Sequence, residues 1–212
     1  MLQIPSETAA EQLFIFHLKY LVAVDPATDM SCLLDRTASP RFRSPLVFSP
    51  QSPHFLTRLV YTHILGLDAP EATFDVSLRA SFITRWIEIG QFLKARGDLA
   101  GFLAIATALL SLPILRLKET WTDVEVDLRT MVIREWSPMM KELHRRELGG
   151  GEQLTSMTAH VLTPDLKREN LDSHLVIPYY GDICTALEGF DIWAVFTISA
   201  FRLISGDAGD GH

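Results

Sequence analysis

Cysteine is scarce: only Cys32 and Cys184 occur in 212 residues, far apart and with no CxxC spacing. That excludes a disulfide framework and a zinc knuckle, and it points to a reducing compartment. Basic charge is also in deficit, with 19 Lys and Arg against 26 Asp and Glu, for a net charge of -7. An acidic surface repels phosphate, so neither nucleic acid nor an anionic membrane is an expected partner. The basic run His144-Arg145-Arg146 reads as a solvated helix end. Long apolar runs are missing too. The most apolar late stretch, Ile192 to Ile204, is too short to span a bilayer. The first 30 residues lack the pattern of a secretory leader, so the expected location is the cytoplasm.

Catalytic signatures are equally lacking. The seven histidines (His17, His54, His63, His144, His160, His174, His212) form no HExxH or other ligand pair at helical spacing. They read as surface or capping residues, and no metal site is expected. There is no GxSxG elbow, no GxxxxGK[ST] and no GxGxxG. Gly149-Gly150-Gly151 has no lysine and no preceding strand, which removes it as a phosphate loop. Cys184 has no adjacent histidine and reads as a packed thiol. Bond-making catalysis therefore has no support, and no cofactor is implied.

What is present is helical periodicity over an ordinary globular composition, 48% hydrophobic and 21% charged. Ala9, Leu13, Phe16 and Tyr20 recur at helical spacing over Ser6 to Val24, with Ser6 as a possible cap. Pro40, Pro45, Pro50 and Pro53 predict a loop over residues 31–53. A short helix is expected over Phe55 to Leu67, closed by Gly66 and Pro70. Asp75 or Ser77 can cap a helix with Leu78, Phe82, Trp86, Ile89 and Leu93 inward. Gly97 stops it, and Asp98 caps the next, with Leu99, Phe102, Leu103, Ala106 and Leu110 inward until Pro113. The tight Arg96-Gly97-Asp98 turn makes these two an αα-hairpin. A further helix is expected from about Asp123 to Glu135, between Trp121 and Trp136. Ser137-Pro138 then restarts a helix to Leu148. Residues 149–173 read as an irregular insertion and 206–212 as a disordered tail. No strand alternation or repeat is evident, so the fold class is all-α, a multi-helix orthogonal bundle over 1–205.

Within this pattern, Arg79 to Trp121 reads RASFITRWIEIGQFLKARGDLAGFLAIATALLSLPILRLKETW. It resembles the centre of the catalytic domain of Ras-type guanine nucleotide exchange factors, most specifically in Arg116-Leu117-Lys118-Glu119-Thr120-Trp121 after Leu112-Pro113-Ile114. Ala10-Glu11-Gln12-Leu13 resembles the family's A-x-Q-L-T helix, Val60 to Leu65 its W-V-x-x-x-I-L, and Val176 to Gly181 its (I/V)-P-(F/Y)-(L/F)-G. The departures are specific. Leu59 replaces the motif tryptophan, and His54 falls near an expected asparagine. Asp98-Leu99-Ala100 stands for N-(F/Y)-N, and Leu110 occupies a position that is usually polar. Phe190 to Ile204 replaces the family's basic helix, so the chain resembles a C-terminally incomplete copy. Such divergence points to the exchange-factor-like modules of large fungal multidomain Rho GTPase-activating proteins.

The resemblance implies a Ras-family small GTPase as partner, plasma-membrane recruitment through that GTPase, and further domains of a larger protein. It implies that Leu103, Leu110 and Tyr179 line the surface for the GTPase's switch II. Tyr180, Ile183 and Leu187 would belong to a wedge hairpin with Glu188 at its acidic tip. Leu103 and Leu110 fit a plain helix core equally well, and Tyr179 and Tyr180 fit packing beside Pro178. Trp86, Arg116, Lys118 and Trp121 are assigned to scaffold. Three readings follow: an exchange factor, a degenerate interaction module on the same fold, and a small hydrolase needing a clustered histidine and carboxylate pocket.

Overall fold

The computed structural model describes residues 4–23, 54–66, 75–147 and 176–177. The predicted 31–53 loop, the 149–173 insertion, the 206–212 tail and both cysteines lie outside them. The described elements are helical: α1 (Ser6–Ala23), α2 (Phe55–Leu65), α3 (Val76–Ala95), α4 (Leu99–Leu109), α5 (Leu112–Leu115), α6 (Lys118–Thr122), α7 (Val126–Met131) and α8 (Ser137–Glu147). A π-helical segment, Val132–Trp136, joins α7 to α8. The all-α expectation holds, with no strand among the described residues and one isolated parallel bridge, Asp98 to Ile177.

Each boundary has a local cause. His54 caps α2 by accepting the Leu56 N–H, and Gly66 closes it at φ 68°, where its N–H reaches the Thr62 carbonyl. Of the two caps proposed for α3, Asp75 is the one used, accepting from Leu78 N. Gly97, at φ 83°, makes the turn into α4, and Asp98 caps α4 by accepting from Gly101 N. Pro113 sits in the first turn of α5, where its missing N–H leaves no gap. The expected restart at Ser137 does not occur. Ser137 is itself helical (φ -60°, ψ -42°), and its N–H reaches back five residues to Val132. A proline inside a regular helix strikes the carbonyl four residues back; the wider π turn immediately before Pro138 lets the helix run on instead.

Helix α4 is the centre. It is apolar all round, and every residue except Thr107 is buried. It packs against α2 and α3, and α3 packs in turn against α1, α2 and α6. With neighbours on several sides, α3 buries more than the single expected stripe: Ile83, Ile87 and Gly90 join Trp86, Ile89 and Leu93, while Leu78 and Phe82 are half-buried. Trp136 abuts Gly90, where an added Cβ would meet the far edge of the ring at 2.7 Å, and it packs against Phe102 with the two rings nearly perpendicular at 5.0 Å. Trp121 donates to the Ile114 carbonyl (3.0 Å), fastening α6 to α5. Trp86 and Trp121 act as scaffold; Arg116 and Lys118 are solvent-exposed beside helix ends and do not belong to the core.

Helix α1 corrects the expected face. Ala10 and His17 are fully buried, Ala9 and Leu13 half-buried, and Phe16 lies at the surface. The buried stripe is therefore rotated by one position, and it brings a histidine inside. Ser6 spends its hydroxyl on the Glu88 carboxylate of α3.

Candidate interaction surface

The Arg96-Gly97-Asp98 turn carries a carboxylate engaged through both of its oxygens. Asp98 is fully buried. One carboxylate oxygen accepts the Gly101 N–H (2.9 Å), closing the first turn of α4. The other lies 2.5 Å from His17 Nδ1, and His17 is buried as completely. Removing two such groups from water costs more than their attraction returns unless the remaining lone pairs are satisfied, and here both carboxylate oxygens are. The second imidazole nitrogen, His17 Nε2, is buried with no hydrogen-bond partner among the described residues.

Three aromatic rings lie around His17: His54 edge-on at 5.4 Å, Phe55 at 5.7 Å and Phe16, tilted, at 5.9 Å. His54 Nδ1 accepts the Leu56 N–H (3.2 Å), which requires that nitrogen to be unprotonated. Burial, with His17 as the lesser cause, lowers its pKa to about 3, so His54 stays neutral. Gly101 completes the packing, because a Cβ there would meet Asp98 Oδ2 and His17 Cε1 at 2.8 Å.

The backbone of the same turn does a second job. Ile177 N donates to the Gly97 carbonyl (2.9 Å), and Leu99 N donates to the Ile177 carbonyl (3.0 Å). Leu99 is the first residue of α4, so Ile177 takes up one of the donors that a helix N-terminus leaves open. The Ile177 side chain is buried against Ala100, with Phe14 and Leu18 of α1 packed on them. The chain is thus fixed to the turn immediately before Pro178-Tyr179-Tyr180.

Leu110 lies at the other end of α4, as its C-cap, half-buried and followed by the exposed Leu112 and Leu115 of α5. Eleven residues at 1.5 Å each put roughly 16 Å between this end and the Ile177 anchor. Leu103 lies between them with no exposed surface. In this structure its place is the core, and it can only support a partner-facing surface from beneath. Tyr179, Tyr180, Ile183, Leu187 and Glu188 lie outside the described residues.

Sequence reading missed His17 by placing histidines at the surface. The signal was present: His17 falls seven residues after Ala10, one heptad along the same helix face. A buried His–Asp pair is also part of hydrolytic triads, but one without exposure has no route to a substrate. Among the described residues, no three His, Cys, Asp or Glu side chains could hold a metal ion. None of the described helices is long and apolar enough to cross a membrane.

Known proteins match this chain along most of its length. The RasGEF domain family matches residues 8–198. The GTPase-activating protein BEM2 of Eremothecium gossypii is 30% identical over 185 residues, covering 86% of this chain and 9% of that protein. The GTPase-activating protein BEM2/IPL2 of Saccharomyces cerevisiae is 29% identical over 182 residues, covering 83% of this chain and 8% of that protein. The chain thus spans less than a tenth of the length of either relative.

Proposed function

The chain belongs to the RasGEF domain family, and from that premise we propose that it acts on a Ras-family small GTPase, opening its switch regions so that GDP leaves. The observation that carries the reading is the αα-hairpin whose turn binds Ile177, because it fixes the root of the segment that the resemblance assigns to the GTPase. An exchange factor transfers no atoms. It binds the nucleotide-free GTPase more tightly than the loaded one, and by linkage it weakens nucleotide by the same factor. A 10⁵-fold faster release corresponds to about 7 kcal/mol of preferential stabilisation of the open, nucleotide-releasing state. Leu110 and Tyr179 are the proposed contacts for switch II, and the buried Leu103 would back that surface from the core. Tyr180, Ile183 and Leu187 are assigned to the wedge, and Glu188 to its tip.

A second reading has its own support. The wedge needs a rigid helix behind its tip, and Phe190 to Ile204 is unlike the family's basic helix. The relatives carry names for GTPase activation, the opposite effect on a GTPase, but the matched segment is under a tenth of each. Their names therefore need not describe this segment. In this reading the domain is a docking module of a larger signalling protein that holds a GTPase without emptying it.

Release of labelled GDP from a panel of Ras-like GTPases separates the two. The exchange reading expects release that accelerates with the concentration of the chain. Binding to a nucleotide-free GTPase with no faster release selects the docking module. Absence of binding to every GTPase on the panel, loaded or empty, sinks both.

A further inference from the structure

We infer that the buried His17–Asp98 pair is a positioning device, through which α1 sets where Ile177 is held on the hairpin turn. Three observations converge on this. The pair joins segments 81 residues apart, has no solvent exposure on either side, and uses the Asp98 oxygen that the α4 cap leaves over. The backbone on both sides of Asp98 carries the two hydrogen bonds to Ile177, so a shift of Asp98 moves the Gly97 carbonyl and the Leu99 N–H together. The surroundings leave little slack, since Gly101 approaches both side chains so closely that a methyl group would not fit. A buried carboxylate that loses its imidazole has no water to turn to, and must rotate toward another donor. Rotation strains the cap and the turn, and Ile177 is released from its two partners.

A purely cohesive pair would stabilise the whole fold evenly; this one acts at one place. The nearby ion pair between Glu7 and Arg96 makes the contrast. It links the same two elements at 3.6 Å, but through exposed side chains, and it does not touch the turn carbonyl. Its loss leaves Ile177 where it is.

The consequence for a GTPase rests on the proposed function, but the test does not. Amide hydrogen exchange is measured by NMR on the full 212-residue chain, comparing Ile177 with the core amide of Ile105. His17→Leu/Asp98→Asn removes the pair while asparagine keeps the α4 cap, which avoids leaving a lone buried charge. Exchange at Ile177 is expected to speed up at least about tenfold, with Ile105 unchanged within about threefold. Asp98→Asn alone keeps a hydrogen bond to His17 in its other tautomer, and holds Ile177 near its original rate. Unchanged Ile177 protection in the double variant overturns the inference, as does equal acceleration at both amides or release of Ile177 by Asp98→Asn alone. With nucleotide-free GTPase added, the double variant is expected to lose at least about tenfold in affinity. A wild-type chain that binds no GTPase defeats the proposed function and leaves the amide result to decide this one.

Discussion

Two sides of the first turn of α4 are held in opposite ways. On one side Trp136, Phe102 and Gly90 interlock through mainly apolar surface, with the Lys94 amine 5.6 Å from the Phe102 ring centre. On the other, Asp98, His17 and His54 do so through a buried polar cluster drawn from three segments of the chain. An apolar lock depends on volume and tolerates small rotations. A polar lock depends on direction, because a hydrogen bond weakens steeply with angle. The first kind suits a scaffold, and the second suits a place where a neighbouring segment must be held in one position.

The largest way to break the comparison is at the apolar lock. Trp136→Ala opens a cavity beside Gly90 and Phe102 and is expected to cost about 3–5 kcal/mol in urea-unfolding free energy. A loss below about 1 kcal/mol would mean that the π segment does not cover the core. Paired glycine variants come next. Gly90→Ala pushes a methyl group into the Trp136 ring, and Gly101→Ala pushes one into Asp98 and His17. Overpacking of about 1–3 kcal/mol is opposed by up to about 1 kcal/mol of gained helix propensity, so each is destabilising on balance. Only Gly101→Ala should also loosen Ile177, and equal loosening by both would erase the distinction between the two locks.

The pH response belongs to the polar lock. His54 has a folded-state pKa of about 3 against an ordinary value of 6.5. Between those values the unfolded chain takes up a proton that the folded chain refuses, so stability is lost as pH falls from about 6.5 toward about 3. At pH 5 this amounts to about 2 kcal/mol relative to pH 7. His54→Asn keeps a cap for α2 and should flatten that slope in urea midpoints; an unchanged slope would contradict the assignment. The smallest effect is that of Glu7→Gln, under about 0.5 kcal/mol, because the ion pair with Arg96 is largely exposed.

The same contrast governs what the sequence made legible. The hairpin over 76–109 was readable because its signals are local: Asp75 and Asp98 as caps, Gly97 as the break, and apolar residues at helical spacing. Leu110 was taken as inward on the same pattern and lies half-buried, since it is already the cap of α4. The continuous passage through Ser137 was misread because serine before proline also marks a helix start, and the π turn that accommodates Pro138 leaves no local signature. His17, His54 and Ile177 come from remote stretches, and only the folded chain places them around one turn. Arg116 and Lys118 carry much of the family resemblance, yet lie in solvent, so a motif's specificity did not report its burial. For the proposed contacts, Leu103 proved to be core, and the residues from Tyr179 to Glu188 fall outside the described part.

Affinity for a Ras-family GTPase, measured by titration calorimetry in its nucleotide-free and its GDP-loaded forms, reaches the central claim most directly. An exchange-type domain must favour the empty form, by a factor equal to the one by which it weakens nucleotide. The account predicts at least about a hundredfold preference, or close to 3 kcal/mol. Equal affinity for the two forms would contradict it.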